Sequence, residues 1–146
     1  MNYPNYSFFS NQNSNEFFFE SIGSKGLIMK VIAFQETDIE NIYNLALADV
    51  NPETGEIDDK IVSDNGDMVK ILATIFHIIK HFIDYHPDYQ IYFTSDSLTR
   101  NRLYRMAINN AYSELNADFE LFGFLNNQPE PFISNKPYHA FLLKKR

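Results

Sequence analysis

The stretch Met68-Val69-Lys70-Ile71-Leu72-Ala73-Thr74-Ile75-Phe76-His77-Ile78-Ile79-Lys80-His81-Phe82-Ile83-Asp84-Tyr85 decides the fold class. Its apolar residues recur at 68, 71, 72, 75, 76, 79, 82 and 83, which is helical spacing. The polar stripe is narrow: Lys70, Thr74, His77, Lys80, His81 and Asp84. A helix with so little polar surface must bury most of itself, and a sheet is the natural surface for it. Pro87 stops it.

Working outward, Asn41 to Val50 reads as a strand that is largely apolar on both faces and therefore central. Tyr89 to Ser95 reads as a short strand on the other side of the helix. Strand, crossover helix and strand imply one parallel pair with a right-handed connection. Further out, Glu16 to Ile22 and Leu27 to Gln35 form a hairpin around Gly23-Ser24-Lys25-Gly26, where glycine tolerates positive φ. Beyond Ser95 a second helix starts at a Ser97 cap and runs to about Leu115, with a core stripe of Leu103, Ala107, Ile108, Ala111 and Leu115. Phe119 to Leu125 is a strand, Asn126 to Pro131 a loop, and Tyr138 to Leu143 the last strand. The predicted fold is α+β: a single mixed, mostly antiparallel sheet in the order β-β-β-α-β-α-β-β, with two helices packed on it. Residues 1–15 are predicted to be an irregular arm, part of which docks or begins a strand at Tyr3, Tyr6, Phe8 and Phe9; residues 16–146 are predicted to form a single α+β domain.

The bulk composition narrows the function classes. The chain has 146 residues, 45% of them hydrophobic and 16% aromatic, which is enough for a real core without staples. It has no cysteine, so disulfides and thiolate metal sites are excluded. A net charge of −7 argues against non-specific nucleic-acid binding, which needs a basic face. No apolar run is long enough to span a bilayer, and residues 1–15 lack the features of a signal peptide, so a cytoplasmic location is expected.

Two segments look like sites. Asp64-Asn65-Gly66-Asp67, leading into Met68, opens the long helix. Free N–H groups at a helix start can hold an anion, and the same residue types cap a helix on their own account. Thr94 to Arg105 holds three of the four arginines at a strand-to-helix junction, where open α/β sheets tend to bind ligands. Arg100 and Tyr104 share one helix face, and Arg102 and Arg105 share another; paired surface charges are the alternative. His77 and His81 stand at i and i+4, but no Glu sits where a zinc protease needs one, so no metal site is expected. Asp49 to Asp59 is acidic, yet its Gly55 comes one residue late for a calcium loop, and it reads as a hairpin connection.

The element order is similar to the core of GNAT-type acetyltransferases without their first strand and first helices. In that family the second of these helices often carries Asn-x-x-Ala-x-x-Leu-Tyr. Here Ser97-Leu98-Thr99-Arg100-Asn101-Arg102-Leu103-Tyr104 keeps Leu103-Tyr104 in step, with Ser97 and Arg100 at the Asn and Ala positions. The resemblance implies acetyl-CoA as cofactor, with Tyr104 as general acid beside a thiolate leaving group. It implies pyrophosphate binding at Asn65, Gly66, Asp67 and Met68, with Arg100 nearby, and a splayed cleft between the strands at 41–50 and 89–95. The family's phosphate loop is basic and Gly-rich, and the loop here is acidic. The chain also resembles an uncharacterised family of small bacterial proteins, mostly from Bacteroidetes, through Tyr43-Asn44-Leu45-Ala46, Asn65-Gly66-Asp67, Leu72-Ala73-Thr74 and Arg102-Leu103-Tyr104. Three functional readings follow: a GNAT-like acyltransferase, intact or degenerate; a non-enzymatic interaction protein, such as one half of a toxin–antitoxin-like two-gene module or a homodimer; and a small-anion binding domain.

Overall fold

The computed structural model describes residues 4–13, 15–58, 65–94 and 98–146. The elements in chain order are β1 (Phe9–Ser10), β2 (Glu16–Gly23), β3 (Gly26–Glu36), β4 (Ile42–Val50), β5 (Ile57–Asp58), α1 (Met68–Tyr85), β6 (Gln90–Thr94), α2 (Leu98–Asp118), β7 (Phe119–Leu125), β8 (Gln128–Pro131) and β9 (Ala140–Lys145). The class is α+β, with two helices and mixed strand pairing in which antiparallel ladders predominate. The chain divides into two compact units, one of residues 2–35 and 45–82, the other of residues 36–44 and 83–146.

In the first unit the strand order is β1-β2-β3-β4, with β5 on β4. The β2–β3 hairpin is in register from Glu16↔Ala33 to Gly23↔Gly26. Residues directly opposite each other share a face of the sheet. Phe17 with Ile32, and Phe19 with Lys30, therefore lie on one face. That face meets α1: the Phe34 and Phe82 rings stack 4.0 Å apart, and Phe17 meets both edge-on. Residues 71–76, 78, 79 and 82 of α1 are all buried, as its narrow polar stripe requires. His81, though exposed, borders the same packing, with its ring 5.9 Å from Phe8 and 5.7 Å from Phe17.

In the second unit the order is β4-β6-β9-β7-β8. The start of β4 pairs in parallel with β6 over three residues, Ile42↔Gln90 to Asn44↔Tyr92. This is the parallel pair expected on either side of the crossover helix. The last strand, β9, is antiparallel to both β6 and β7 and lies between them. On α2, Ile108, Ala111 and Leu115 are buried as expected, and Asn101 and Tyr104 join them. Ala107 is only half-buried, and the side chain of Leu103 lies outside the described residues.

Two strands are not visible in the sequence, and a third, β1, is hinted at only by Phe8 and Phe9. β1 and β5 are two residues long, too short to show a period. β8 falls where Pro129 and Pro131 suggest a loop. It is an edge strand, where proline is tolerated because its missing N–H is not needed by a further neighbour. Asn126 and Asn127, both with positive φ, make the two-residue turn that joins it to β7.

Candidate functional site

The first unit gathers buried polar groups at the start of α1. The carbonyl of Asp67 accepts the N–H of Ile71, so Asp67 is the residue from which the helix departs. One of its carboxylate oxygens, Oδ2, accepts the hydroxyls of Tyr6 at 2.5 Å and Ser21 at 2.6 Å. The other, Oδ1, is buried and makes no hydrogen bond. Both donors come from distant parts of the chain: the arm before β1 supplies Tyr6, and β2 supplies Ser21. The carboxylate thus sits at the positive end of the helix dipole, where a negative charge is favoured.

Asn65 is fully used from within. Its Oδ1 accepts the N–H of Lys25 at 2.6 Å, and its Nδ2 donates to the Gly26 carbonyl at 2.9 Å and to the Ser21 hydroxyl at 3.1 Å. Its own carbonyl accepts the N–H of Ser24. The tip of the β2–β3 hairpin is therefore clipped onto the loop that starts α1. Gly66 takes φ 79°, a conformation for which glycine is suited. Gly23 allows the approach, since a Cβ there would stand 1.8 Å from the Asn65 carbonyl oxygen.

Tyr6 locks the arm onto this assembly. It is 7% exposed, stacks on Phe19 at 5.8 Å, and its hydroxyl accepts the N–H of Ile22. Its backbone N–H donates to Thr74 of α1, and the Lys70 ammonium lies 4.3 Å over its ring. Nearby in the fold of this unit, Lys30 and Asp49 form an ion pair at 2.6 Å, with side chains 0% and 9% exposed.

The second unit has two further polar constellations. Tyr138 fills the space that Gly123 leaves by having no side chain. Its hydroxyl donates to Glu130, which also pairs with Lys136 at 2.7 Å. Near the start of β4 a concavity of about 240 Å³ is lined in part by Glu36, Glu40 and Tyr43. The Tyr43 hydroxyl is pushed up to about 12, chiefly by its hydrogen bond to Tyr89, then by burial and the Glu36 charge. Burial, followed by the Asp67 hydrogen bond, raises Tyr6; burial, before any hydrogen bond, raises Tyr138.

These three tyrosines hold their protons more tightly in the folded chain than in the unfolded one. Their contribution to stability is fully present below the ordinary tyrosine value of about 10 and is lost as pH rises through the folded values. Thermal melts should therefore be flat from about pH 8 to pH 9.5 and fall beyond pH 10. A Tyr6→Phe variant should start lower and show a shallower alkaline fall. A melting temperature that rises through that range would contradict the assignment.

The residues singled out in the sequence fall in both units. Asn65, Gly66, Asp67 and Met68 stand at the start of α1 in the first unit. Tyr104 is in the second unit, 6% exposed, with its ring edge-on to Phe93 at 5.6 Å. The side chain of Arg100, and Asp64 and Ser97 entirely, lie outside the described residues. Sequence reading passes over Ser21 and Lys30, and takes Tyr6 only as an aromatic that docks the arm and Asp49 only as part of an acidic connection.

Residues 2–146 match a family described only as a family of unknown function, DUF6934. The chain belongs to that family. No curated protein and no solved structure matches it. Membership covers nearly the whole chain of this DUF6934 protein and assigns it no activity. Among the described residues no helix is long and apolar enough to cross a membrane.

Proposed function

We propose that this domain is a non-enzymatic binding protein on a GNAT-like scaffold whose acyl-CoA end is closed. The scaffold reading rests on the element order and on the parallel pairing of β4 with β6, which flanks the crossover helix. The observation that carries the functional reading is the Asp67 carboxylate at the start of α1, held by Tyr6 and Ser21. A pyrophosphate bound there would need the helix N–H groups and a positive or neutral surround. It would meet a fixed negative charge instead, in a partly buried place where like charges repel more strongly than in water. Asn65 cannot turn to a ligand without releasing the hairpin tip. The residues present do not fit acetyl-CoA in the family's manner, and Tyr104 has no role as an acid in this reading.

Isothermal titration with acetyl-CoA tests this. Wild-type protein should give only heat of dilution up to millimolar ligand. Saturable heat with a dissociation constant of about 1 mM or tighter would overturn the proposal. The role this reading assigns is contact with another protein, in line with a two-gene module in which one product holds the other.

A further inference from the structure

We infer that the exposed face of the first half of α2 is a docking surface for an acidic, amphipathic segment of a partner protein. This rests on the binding-protein reading above and gives that reading a surface and a partner chemistry.

The charge distribution along the chain is the first argument. Residues 98–113 contain three of the twelve basic residues and none of the nineteen acidic ones, in a chain whose net charge is −7. This basic stretch also sits at the wrong end of its helix. The first turn of α2 contains no acid, and Arg100 stands in it, although the dipole there favours negative charge.

The second argument is exposure. Leu98, Arg102, Arg105 and Met106 fall on one stripe of the helix by their i, i+4, i+7 and i+8 spacing. Leu98 is 87% exposed and Met106 49%. Arg102 is exposed and makes no hydrogen bond or ion pair among the described residues. Arg105 is half-buried and steadied by a hydrogen bond from its guanidinium to the Tyr138 carbonyl at 3.0 Å. An acidic chain with carboxylates to spare has left Arg102 open to solvent.

The interleaving decides the partner class. A nucleic-acid backbone would call for an uninterrupted basic face, and the net charge of the chain opposes it. Here apolar Leu98 and Met106 flank the guanidinium of Arg102. Carboxylates alternating with apolar side chains on one helical face match that pattern, with arginine forking onto the carboxylates.

The test is fluorescence anisotropy with a labelled synthetic helical peptide carrying Glu and Leu on one face. Its Gln-for-Glu version and a single-stranded DNA are the comparisons. Wild-type protein should bind the acidic peptide saturably and lose affinity as salt rises. Arg102→Glu should weaken binding roughly tenfold or more, and Arg102→Lys, which keeps the charge but not the fork, should weaken it less. Leu98→Glu should keep or raise the melting temperature, because it places an acid in the first turn of the helix, and still lose the peptide. No binding at millimolar peptide, equal binding by Arg102→Glu, or binding to the DNA as tight as to the peptide would each overturn the proposal. So would a wild-type dimer that Arg102→Glu dissolves, since the occupant would then be a second copy. The acetyl-CoA titration separates this proposal from the one beneath it. Saturable acetyl-CoA heat overturns the binding-protein reading whatever the peptide does, whereas silence from both ligands overturns this surface alone.

Discussion

An Asp49→Ala variant will lose about 3–5 kcal/mol of stability, a large part of what a domain this size has. The reason is the state in which it leaves Lys30. The Lys30 side chain is 0% exposed, and its ammonium lies 2.6 Å from Asp49. Removing the carboxylate takes the ion-pair partner at 2.6 Å from a buried positive charge, and losing one partner of a buried pair is strongly destabilising. The pair itself need not stabilise the fold relative to apolar residues. A Lys30→Met, Asp49→Leu double variant should therefore recover most of the loss, because it removes both charges and keeps the volume. Urea titration measures both, as midpoint shifts at constant slope. A loss below about 1 kcal/mol for Asp49→Ala would place Lys30 in contact with water and contradict the buried pair.

Gly23→Ala is the second large effect. A methyl at this position would stand 1.8 Å from the Asn65 carbonyl oxygen, a backbone atom that cannot swing aside. Either the hairpin tip or the loop before α1 must move. The bonds at risk are Ser24 N–H to the Asn65 carbonyl, Lys25 N–H to Asn65 Oδ1, and Asn65 Nδ2 to Gly26 and Ser21. Overpacking alone costs about 1–3 kcal/mol, and stranding the buried Asn65 amide adds about 1–3 more. We expect a total near 3 kcal/mol, and faster hydrogen exchange at Ser24 and Lys25. Gly26 is the control. A Cβ there meets nothing within 4 Å, so Gly26→Ala should lose only the modest penalty of its positive φ. Equal effects at the two glycines would show that the clip between hairpin and loop is not what holds this end of α1.

Much of the fold is legible because its signals are local. The period of 68–85, the Gly23 to Gly26 turn and the apolar strand at 41–50 each declare themselves within a short window. The parallel pairing of β4 with β6 follows from the helix between them. β8 escapes because proline reads as a loop signal, and the exception for edge strands depends on a sheet position the sequence does not state. α2 is legible as a helix, but its inward face is only partly so. Tyr104 and Asn101 turn inward although each looks like a surface or site residue in the string.

The site is harder to read for the same reason. Asp67 and Asn65 are recognisable as helix-start residues, and the string leaves open whether they serve a ligand or the fold. What decides it is their partners, Ser21 and Tyr6, which lie 46 and 61 residues from Asp67 along the chain. Nothing in the Asn-rich arm announces that Tyr6 is its anchor, beyond an aromatic residue in a polar setting. Lys30 sits inside an apolar strand run, which hints at burial, but nothing in the string points to Asp49 as its counter-ion.

In the function proposed above, the start of α1 is closed to an anionic cofactor by the protein's own Asp67 carboxylate. Backbone amide shifts measured by NMR during titration with acetyl-CoA, and separately with inorganic pyrophosphate, test it at the residues concerned. The amides of Gly66, Asp67, Met68, Val69 and Lys70 should stay in place at millimolar ligand. Saturable shifts centred on those five amides, with either ligand, would contradict it.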